Sequence, residues 1–210
     1  MPVSIDLGYS GANRTPGIHL SGVLRAIATA TGILKVDPDE EPLDNIIANT
    51  PHTQVGSNGK LMRLVIGLAW EEWAMKRIPD MIAHPGEFFL DDVIGSPDGI
   101  SLHPVDGGYI LHEFKATFKS SKKPLGDAQM WLWQAAGYLA MMTARYREAC
   151  LRCVFHPLHI KGDYSGIDPL YPAQLVEFEQ AEVDGIWNMV QQYKHLAIKE
   201  VGKETGYEKA

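Results

Sequence analysis

The sequence predicts a single α/β domain with a mixed central β-sheet flanked by helices. The chain has 210 residues, which is enough for one domain with a sizeable core. Hydrophobic residues make up 45% and charged residues 21%, close to ordinary globular proportions. Helix-like and strand-like segments follow one another in the order helix, three strands, helix, strand, helix. This order is that of one α/β domain.

Composition and charge exclude several classes of protein. No apolar run approaches the roughly 18 residues of a membrane span, and residues 1–22 lack the basic start and apolar stretch of a signal peptide. Two cysteines cannot form a disulfide framework. The 19 basic and 26 acidic residues give a charge of −7, which argues against coating nucleic acid by bulk charge but not against a local basic patch. We therefore expect a cytoplasmic protein without membrane contact.

Three regions are expected along the chain. We expect residues 1–60 to form an arm, a short helix and a surface excursion packed on the core, because Gly, Pro and acidic residues are frequent there. The short helix is predicted over Val23–Ala30, with Ser21 as its N-cap. Residues 61–200 are expected to form the core, and residues 201–210 a flexible polar tail.

The periodicity of apolar residues predicts the elements of the core. Three- and four-residue spacing predicts three long helices, over Leu61–Ile78, Asp127–Tyr146 and Leu175–Lys199. Short apolar and aromatic runs predict strands over Glu87–Leu90, Val93–Leu102, Tyr109–Phe118 and Ala149–Ile160. The second of these breaks at Ser96-Pro97-Asp98-Gly99, between Val93–Ile94 and Ile100–Leu102. The turn Asp106-Gly107-Gly108 indicates a hairpin between two of these strands.

Two acidic residues and one lysine are placed unusually among these strands. Asp98 lies at a strand break in Ser96-Pro97-Asp98-Gly99, while Glu113 and Lys115 lie two residues apart in an apolar strand. Residues two apart in a strand project to the same face. A carboxylate and an ammonium on the face of a central strand are costly unless they are paired or bound to metal. If the hairpin forms, Asp98 approaches Glu113.

Two interpretations explain such a cluster: a metal site, or ordinary polar residues without a chemical role. Two carboxylates beside one lysine suit a hard cation such as Mg²⁺, and Lys115 could orient a bound water or stabilise charge developing on a phosphate. Alternatively, Asp98 is an ordinary turn residue and Glu113 with Lys115 is a solvated pair at a sheet edge.

The order of four short motifs resembles the PD-(D/E)XK nuclease superfamily. Ser96-Pro97-Asp98-Gly99 followed by Glu113-Phe114-Lys115 is similar to its signature. Gly67 to Glu71 resembles the Gly-x-x-x-Glu of phage and RecB-type members, and Gln134 to Tyr138 resembles the Gln-x-x-x-Tyr of the RecB-like and lambda-exonuclease-like branches. The resemblance covers about residues 61–160, roughly half of the chain.

The resemblance implies a restriction-endonuclease-like αβββαβ core and a set of site residues. Asp98, Glu113 and the main-chain carbonyl of Phe114 would bind metal, and Lys115 would serve the attacking water. Glu71 would complete the acidic cluster directly or through water. The family spacing favours Glu71, whereas Glu72 lies nearer the middle of the apolar arc of its helix, so both stay open.

A second set of residues would contact the substrate. Gln134 and Tyr138 would hold the substrate strand or brace the site; alternatively, Tyr138 is a core aromatic and Gln134 a flanking residue. The positions that could contact nucleic acid through positive charge are Lys119, Lys122, Lys123 and Arg25. For the three lysines, a solvated loop is the alternative.

The resemblance implies a Mg²⁺- or Mn²⁺-dependent DNA nuclease, expected to be an exonuclease encoded by a phage and acting in recombination, replication or repair. Its partners would be a duplex end or a single strand of DNA, further copies of the chain, and a recombination protein. It would work in the cytoplasm of a bacterium or of a phage host. A structure-specific endonuclease and a non-catalytic nucleic-acid-binding module with the same fold are the alternatives.

Two other cofactors are not expected. Cys150 and Cys153 are the only cysteines, so the four-cysteine iron–sulfur cluster of some RecB-like proteins cannot form within this chain. Both are expected to be core residues. No P-loop pattern is present, so ATP-driven activity within the chain is not expected.

Overall fold

Four α-helices, one 3₁₀ helix (Leu125–Asp127) and eight strands are present in the computed structural model, which describes residues 15–33, 58–117, 125–159 and 173–204. The helices are α1 (Leu20–Ala30), α2 (Asn58–Met75), α3 (Gln129–Tyr146) and α4 (Gln180–Glu204). The strands are β1 (Ile18–His19), β2 (Ile82–Ala83), β3 (Phe88–Leu90), β4 (Val93–Gly95), β5 (Gly99–Leu102), β6 (Tyr109–Thr117), β7 (Arg152–His159) and β8 (Gln174–Glu177).

The strands form two mixed sheets. The larger sheet has five strands in the order β2-β5-β6-β7-β8, and only β6 and β7 are parallel in it. They are parallel because the chain crosses over between them through α3, as a parallel connection requires. The smaller sheet has the order β1-β4-β3, with β1 parallel to β4. The predicted single α/β domain with a mixed sheet flanked by helices is confirmed.

The predicted strands are present, but β1, β2 and β8 were not predicted, and the strands do not all join one sheet. The chain bends at Ser96-Pro97-Asp98, between β4 and β5, so these two short strands pair with different neighbours. The acid at position 98 therefore lies where the chain passes from the smaller sheet to the larger one.

The predicted start of the last helix is wrong. Gln174–Glu177 is a strand that pairs antiparallel with β7, and α4 begins only at Gln180. The main-chain N–H of Glu179 donates to Oε2 of Glu182 at 2.8 Å, which is the reciprocal contact of a capping box. The acid pair at these two positions therefore marks the start of the helix five residues later than predicted.

The first helix also differs at its start. It begins at Leu20, and His19 is its N-cap residue, without a side-chain hydrogen bond. Ser21 therefore lies inside the helix and is not its cap. The predicted arm and surface excursion lie outside the described residues at positions 1–14 and 34–57, as do positions 205–210 of the predicted tail. The helix α4 continues to Glu204, past the predicted core boundary.

The main core lies where α1, α3 and α4 meet the sheets. Its largest fully buried members include Phe88, Leu111, Leu139, Met142 and Phe155. A glycine allows α1 and α3 to approach closely, because a Cβ atom on Gly137 would lie 2.7 Å from a methyl carbon of Leu20. Among the described residues, no helix combines the length and apolarity of a membrane-spanning segment.

Substituting alanine for Gly137 tests this close approach. Alanine normally stabilises a helix relative to glycine by about 0.5–1 kcal/mol. At Gly137 the added methyl group overlaps the buried side chain of Leu20, whereas a Cβ on Gly185 of α4 meets nothing within 4 Å. We expect the free energy of unfolding of Gly137→Ala to be lower than that of Gly185→Ala by about 1–3 kcal/mol, measured by urea denaturation. Equal values for the two variants would contradict the close packing.

Candidate active site

The hairpin of β5 and β6 brings Asp98 to the central strand. The two strands pair antiparallel from Leu102 opposite Tyr109 to Gly99 opposite His112. Asp98 immediately precedes this ladder, and its Oδ2 atom accepts a hydrogen bond of 2.9 Å from the main-chain N–H of Phe114. The carboxylate is therefore held beside the strand that carries Glu113 and Lys115.

Glu113 and Lys115 form a buried ion pair. The side chain of Glu113 is completely buried, and its Oε2 atom lies 2.5 Å from Nζ of Lys115. The same ammonium donates a hydrogen bond of 3.1 Å to Oε1 of Gln134 on α3. Because β6 is the middle strand of the larger sheet and both side chains are largely buried, the alternative of a solvated pair at a sheet edge is wrong.

The surroundings of Glu113 disfavour its charged form. Burial, and next the negative charge of Asp98, raise the pKa of Glu113 to about 8, although Lys115 opposes the shift. Burial alone would lower the pKa of Lys115, but Glu113 and Asp98 outweigh it and keep the lysine charged. Within the described part of the chain, Oε1 of Glu113 is buried without a hydrogen-bond partner. Such an atom is costly unless something else binds it.

Helix α2 places Glu71 at the edge of this cluster. Trp70, Ala74 and Met75 pack with Phe114 of β6, and the indole of Trp70 donates a hydrogen bond of 2.9 Å to the main-chain oxygen of His156 on β7. These contacts fix the rotation of the helix. The side chain of Glu71 is 19% exposed, and burial followed by the charge of Asp98 raises its pKa to about 7.

The two candidate acids of α2 have different surroundings. Glu72 is exposed and pairs with Lys76 at 2.7 Å, one turn along the same helix. Glu71 is largely buried and senses both Asp98 and Lys115. The side-chain geometry therefore favours Glu71, as the spacing from Gly67 does. Helix periodicity favoured Glu72 because this residue lies near the middle of the apolar arc of the helix, whereas Glu71 lies beside that arc.

Helix α3 contributes Gln134 and Tyr138 to the same network. Nε2 of Gln134 donates a hydrogen bond of 3.1 Å to the hydroxyl of Tyr138, while its Oε1 accepts from Lys115. The ring of Tyr138 packs against the backbone of β4, where a Cβ on Gly95 would lie 2.9 Å from it. Burial raises the pKa of the Tyr138 hydroxyl. Tyr138 is thus a core aromatic whose hydroxyl also braces Gln134, and Gln134 connects two elements of the cluster.

The remaining predicted positions have different outcomes. Arg25 lies half-buried on α1, and its guanidinium makes no hydrogen bond or ion pair with any described residue. The predicted basic patch lies outside the described residues, at positions Lys119, Lys122 and Lys123. Cys150 and Cys153 are free and buried, which confirms that they are core residues.

Three histidines lie near the cluster, although none of them was predicted to be a site residue. His112 and His156 share a hydrogen bond of 2.9 Å between ring nitrogens, and Nε2 of His112 is 2.8 Å from Oγ of Ser101. Burial lowers the pKa of both rings to about 4, so they are neutral. The third is His84, whose Nδ1 lies 3.6 Å from Oε1 of Glu71. Strand alternation places His112 on the face of Phe114, but no pattern in the sequence singles out His84.

The donor atoms of the cluster suit a divalent cation. Asp98 and Glu113 offer carboxylate oxygens, which Mg²⁺ and Mn²⁺ prefer, and Oε1 of Glu113 is buried without a protein donor among the described residues. Within the same ranges, no group of three or more His, Cys, Asp or Glu side chains is close enough to form a ready-made metal site. The residues therefore fit a cation in type, and their roles as ligands stay predictions.

Several solved structures resemble the chain over most of its length. An alkaline exonuclease from Laribacter hongkongensis is 12% identical, with a TM-score of 0.47 over 91% of this chain and 93% of that one. The same exonuclease in complex with dAMP is 15% identical, with a TM-score of 0.47 over 89% of this chain and 90% of that one. A phage-related exonuclease from Haemophilus somnus 129PT is 12% identical, with a TM-score of 0.44 over 88% and 83% of the two chains. No family model and no curated protein matches the sequence.

The pH dependence of stability tests the buried acid. Because the pKa of Glu113 in the folded chain, about 8, lies above its ordinary value of 4.5, the folded state holds this proton more tightly than the unfolded state. The resulting stabilisation is complete below about pH 4.5 and is lost as the pH rises through 8. In EDTA, we expect the Tm of the unsubstituted protein to fall more than that of Glu113→Gln between pH 5 and about pH 8.5.

Thermal unfolding followed by circular dichroism measures this difference. Glu72→Gln is the matched control, because its carboxylate is exposed and paired only with Lys76. It should reproduce the pH profile of the unsubstituted protein. Parallel profiles for the unsubstituted protein and Glu113→Gln would mean that Glu113 does not titrate in this range.

Proposed function

We propose that this chain is a divalent-metal-dependent DNA nuclease. The observation that supports this most is the buried pair of Glu113 and Lys115, with Asp98 held against the same strand and Glu71 facing the cluster. A fold does not need a buried acid–lysine pair with two further acids beside it, because such a group costs stability unless it is used. The same positions carry the motif resemblance described above.

The residues that would hold the ion are Asp98, Glu113 and the main-chain carbonyl of Phe114, with Glu71 acting directly or through water. When bound, Mg²⁺ or Mn²⁺ polarises a phosphodiester oxygen and lowers the pKa of a bound water. The hydrogen bond from the N–H of Phe114 orients the carboxylate of Asp98. The burial of Glu113 keeps solvent away from its carboxylate and so strengthens its attraction for a cation.

Lys115 is the group that would act on the attacking water. Its ammonium stays charged because Glu113 and Asp98 outweigh the cost of its burial. Gln134 accepts one of its hydrogens, so the position of the ammonium does not depend on Glu113 alone. Lys115 can therefore hold the water in line with the leaving oxygen, or stabilise the charge that develops on the phosphate.

The finer features of the proposal rest on the motifs of the RecB-like and lambda-exonuclease-like branches. We propose an exonuclease that acts on a duplex end or a single strand of DNA, is encoded by a phage, and works in recombination, replication or repair. Ring-shaped oligomers, a recombination partner protein and a cytoplasmic location belong to the same proposal. Neither an iron–sulfur cluster nor ATP has a part in it.

Substitutions at three positions test the chemistry. We expect Asp98→Asn, Glu113→Gln and Lys115→Met each to lower the rate of phosphodiester hydrolysis by a factor of about 10² to 10⁴, because each removes a charged group from the reacting centre. Hydrolysis of end-labelled DNA with Mg²⁺ or Mn²⁺ measures the rate. Circular dichroism checks that each variant is folded, and Glu72→Gln should keep the activity of the unsubstituted protein. A folded, fully active Glu113→Gln variant would exclude the proposed site.

The shape of the DNA substrate distinguishes the candidate functions. An exonuclease needs an end, so we expect linear duplex to be degraded and covalently closed circles to stay intact in the presence of Mg²⁺. Cleavage of the circles would indicate a structure-specific endonuclease. A protein that binds DNA but cleaves no linear, nicked, single-stranded or circular form would instead be a non-catalytic binding module.

A further inference from the structure

His84 is connected to two acids of the candidate site that come from different elements. It follows the edge strand β2, and its main-chain N–H donates a hydrogen bond of 2.9 Å to the main-chain oxygen of Asp98. Its ring reaches the other way, with Nδ1 3.6 Å from Oε1 of Glu71 on α2. One residue therefore contacts both the backbone that carries Asp98 and the carboxylate of Glu71.

The ring of His84 is placed to donate a hydrogen bond to the carboxylate of Glu71 from its solvent-exposed side. The side chain of His84 is 59% exposed, whereas that of Glu71 is 19% exposed, so the ring lies on the solvent side of the carboxylate. The charge of Asp98 repels Glu71 and contributes to its raised pKa. A separation of 3.6 Å is just beyond a hydrogen bond, and a small rotation of the ring would close it. A neutral imidazole with its proton on Nδ1 is sufficient for this contact.

The backbone of His84 adopts an unfavourable conformation. Its φ angle is +48°, in the left-handed region that favours glycine, and the next residue is Pro85. A residue with a Cβ atom is strained there unless its surroundings hold it in place. Such strain is concentrated at functional sites. Here it occurs at a residue whose ring approaches Glu71 and whose main-chain N–H donates to the main-chain oxygen of Asp98.

We propose that His84 is a positioning residue that holds the Glu71 carboxylate at a set distance from Asp98. This inference rests on the proposed metal-dependent function, since it concerns the geometry of the same acids. His84 does not bind the metal or the substrate in this proposal. Partners that orient metal-binding groups typically change metal affinity by a factor of ten to a hundred when removed.

Glycine and asparagine at position 84 separate the role of the ring from that of the backbone. Glycine tolerates the left-handed conformation, so His84→Gly removes the ring and also relieves the strain. Asparagine also tolerates this conformation and keeps a side-chain N–H donor near the position of Nδ1. Asp80→Gly is the matched control, because Asp80 has a φ angle of +57° on the other side of β2. Among the described residues, its side chain makes no hydrogen bond or ion pair with the acids of the site.

The experiment measures Mn²⁺ binding by isothermal titration calorimetry and Tm in EDTA for the full-length chain and its three variants. We expect His84→Gly to bind Mn²⁺ about tenfold more weakly or worse, with a Tm that is unchanged or higher. His84→Asn should recover most of the affinity. Asp80→Gly should keep the affinity of the unsubstituted protein while its Tm also does not fall.

Three outcomes would overturn the inference. If His84→Gly binds Mn²⁺ as tightly as the unsubstituted protein, the ring does not position Glu71, and the proposed nuclease stands unaffected. If both substitutions at position 84 lower the Tm, the role of His84 is structural. If the unsubstituted protein binds no Mn²⁺, the proposed metal-dependent function fails, and this inference fails with it.

Discussion

The structure depends on neutralising one carboxylate in the middle of its larger sheet. Glu113 is fully buried on β6, where its charge would be prohibitive without Lys115 at 2.5 Å. The lysine is in turn held by Gln134, and Gln134 donates to Tyr138. A single buried charge thus accounts for a chain of polar contacts that extends from β6 into α3. Hydrophobic residues of similar size would fill this space at lower cost, so stability alone does not explain the pair.

The two faces of β6 have opposite electrostatic character. Glu113 and Lys115 form an acid–lysine pair that projects toward α3, whereas His112 and Phe114 project to the other face and are neutral. On that face, His156 stacks on Phe114, with ring centroids 4.6 Å apart, and α2 packs against the same residues. Alternation along one strand therefore separates a charged site from an apolar and aromatic support. The two imidazoles share one hydrogen bond, and burial keeps both rings neutral, so they add no charge beneath the acids.

The parts of the fold with strong local patterns could be predicted from the sequence. The Asp106-Gly107-Gly108 turn specified the hairpin, and the two-residue spacing of Glu113 and Lys115 specified their shared face. The division into two sheets could not be predicted, because β4 and β5 are three and four residues long and nothing local shows which neighbours they choose. The strand β8 was missed because its short alternating pattern runs directly into a longer helical one. His84 lies in a loop, where contacts depend on tertiary structure alone.

The site is assembled from three separate packing arrangements, and each has one identifiable contact that sets it. The hairpin register places Asp98 beside β6 through the N–H of Phe114. The indole of Trp70 fixes the rotation of α2 against β7, which turns Glu71 inward and leaves Glu72 in solvent. The absence of a side chain at Gly95 lets Tyr138 approach β4, which sets the depth of α3. The hairpin alone brings Asp98 to Glu113, whereas Glu71 joins them only through the packing of α2 on β6 and β7. The packing of several elements therefore offsets the electrostatic cost of bringing these charges close together. No single element could hold them in place by itself.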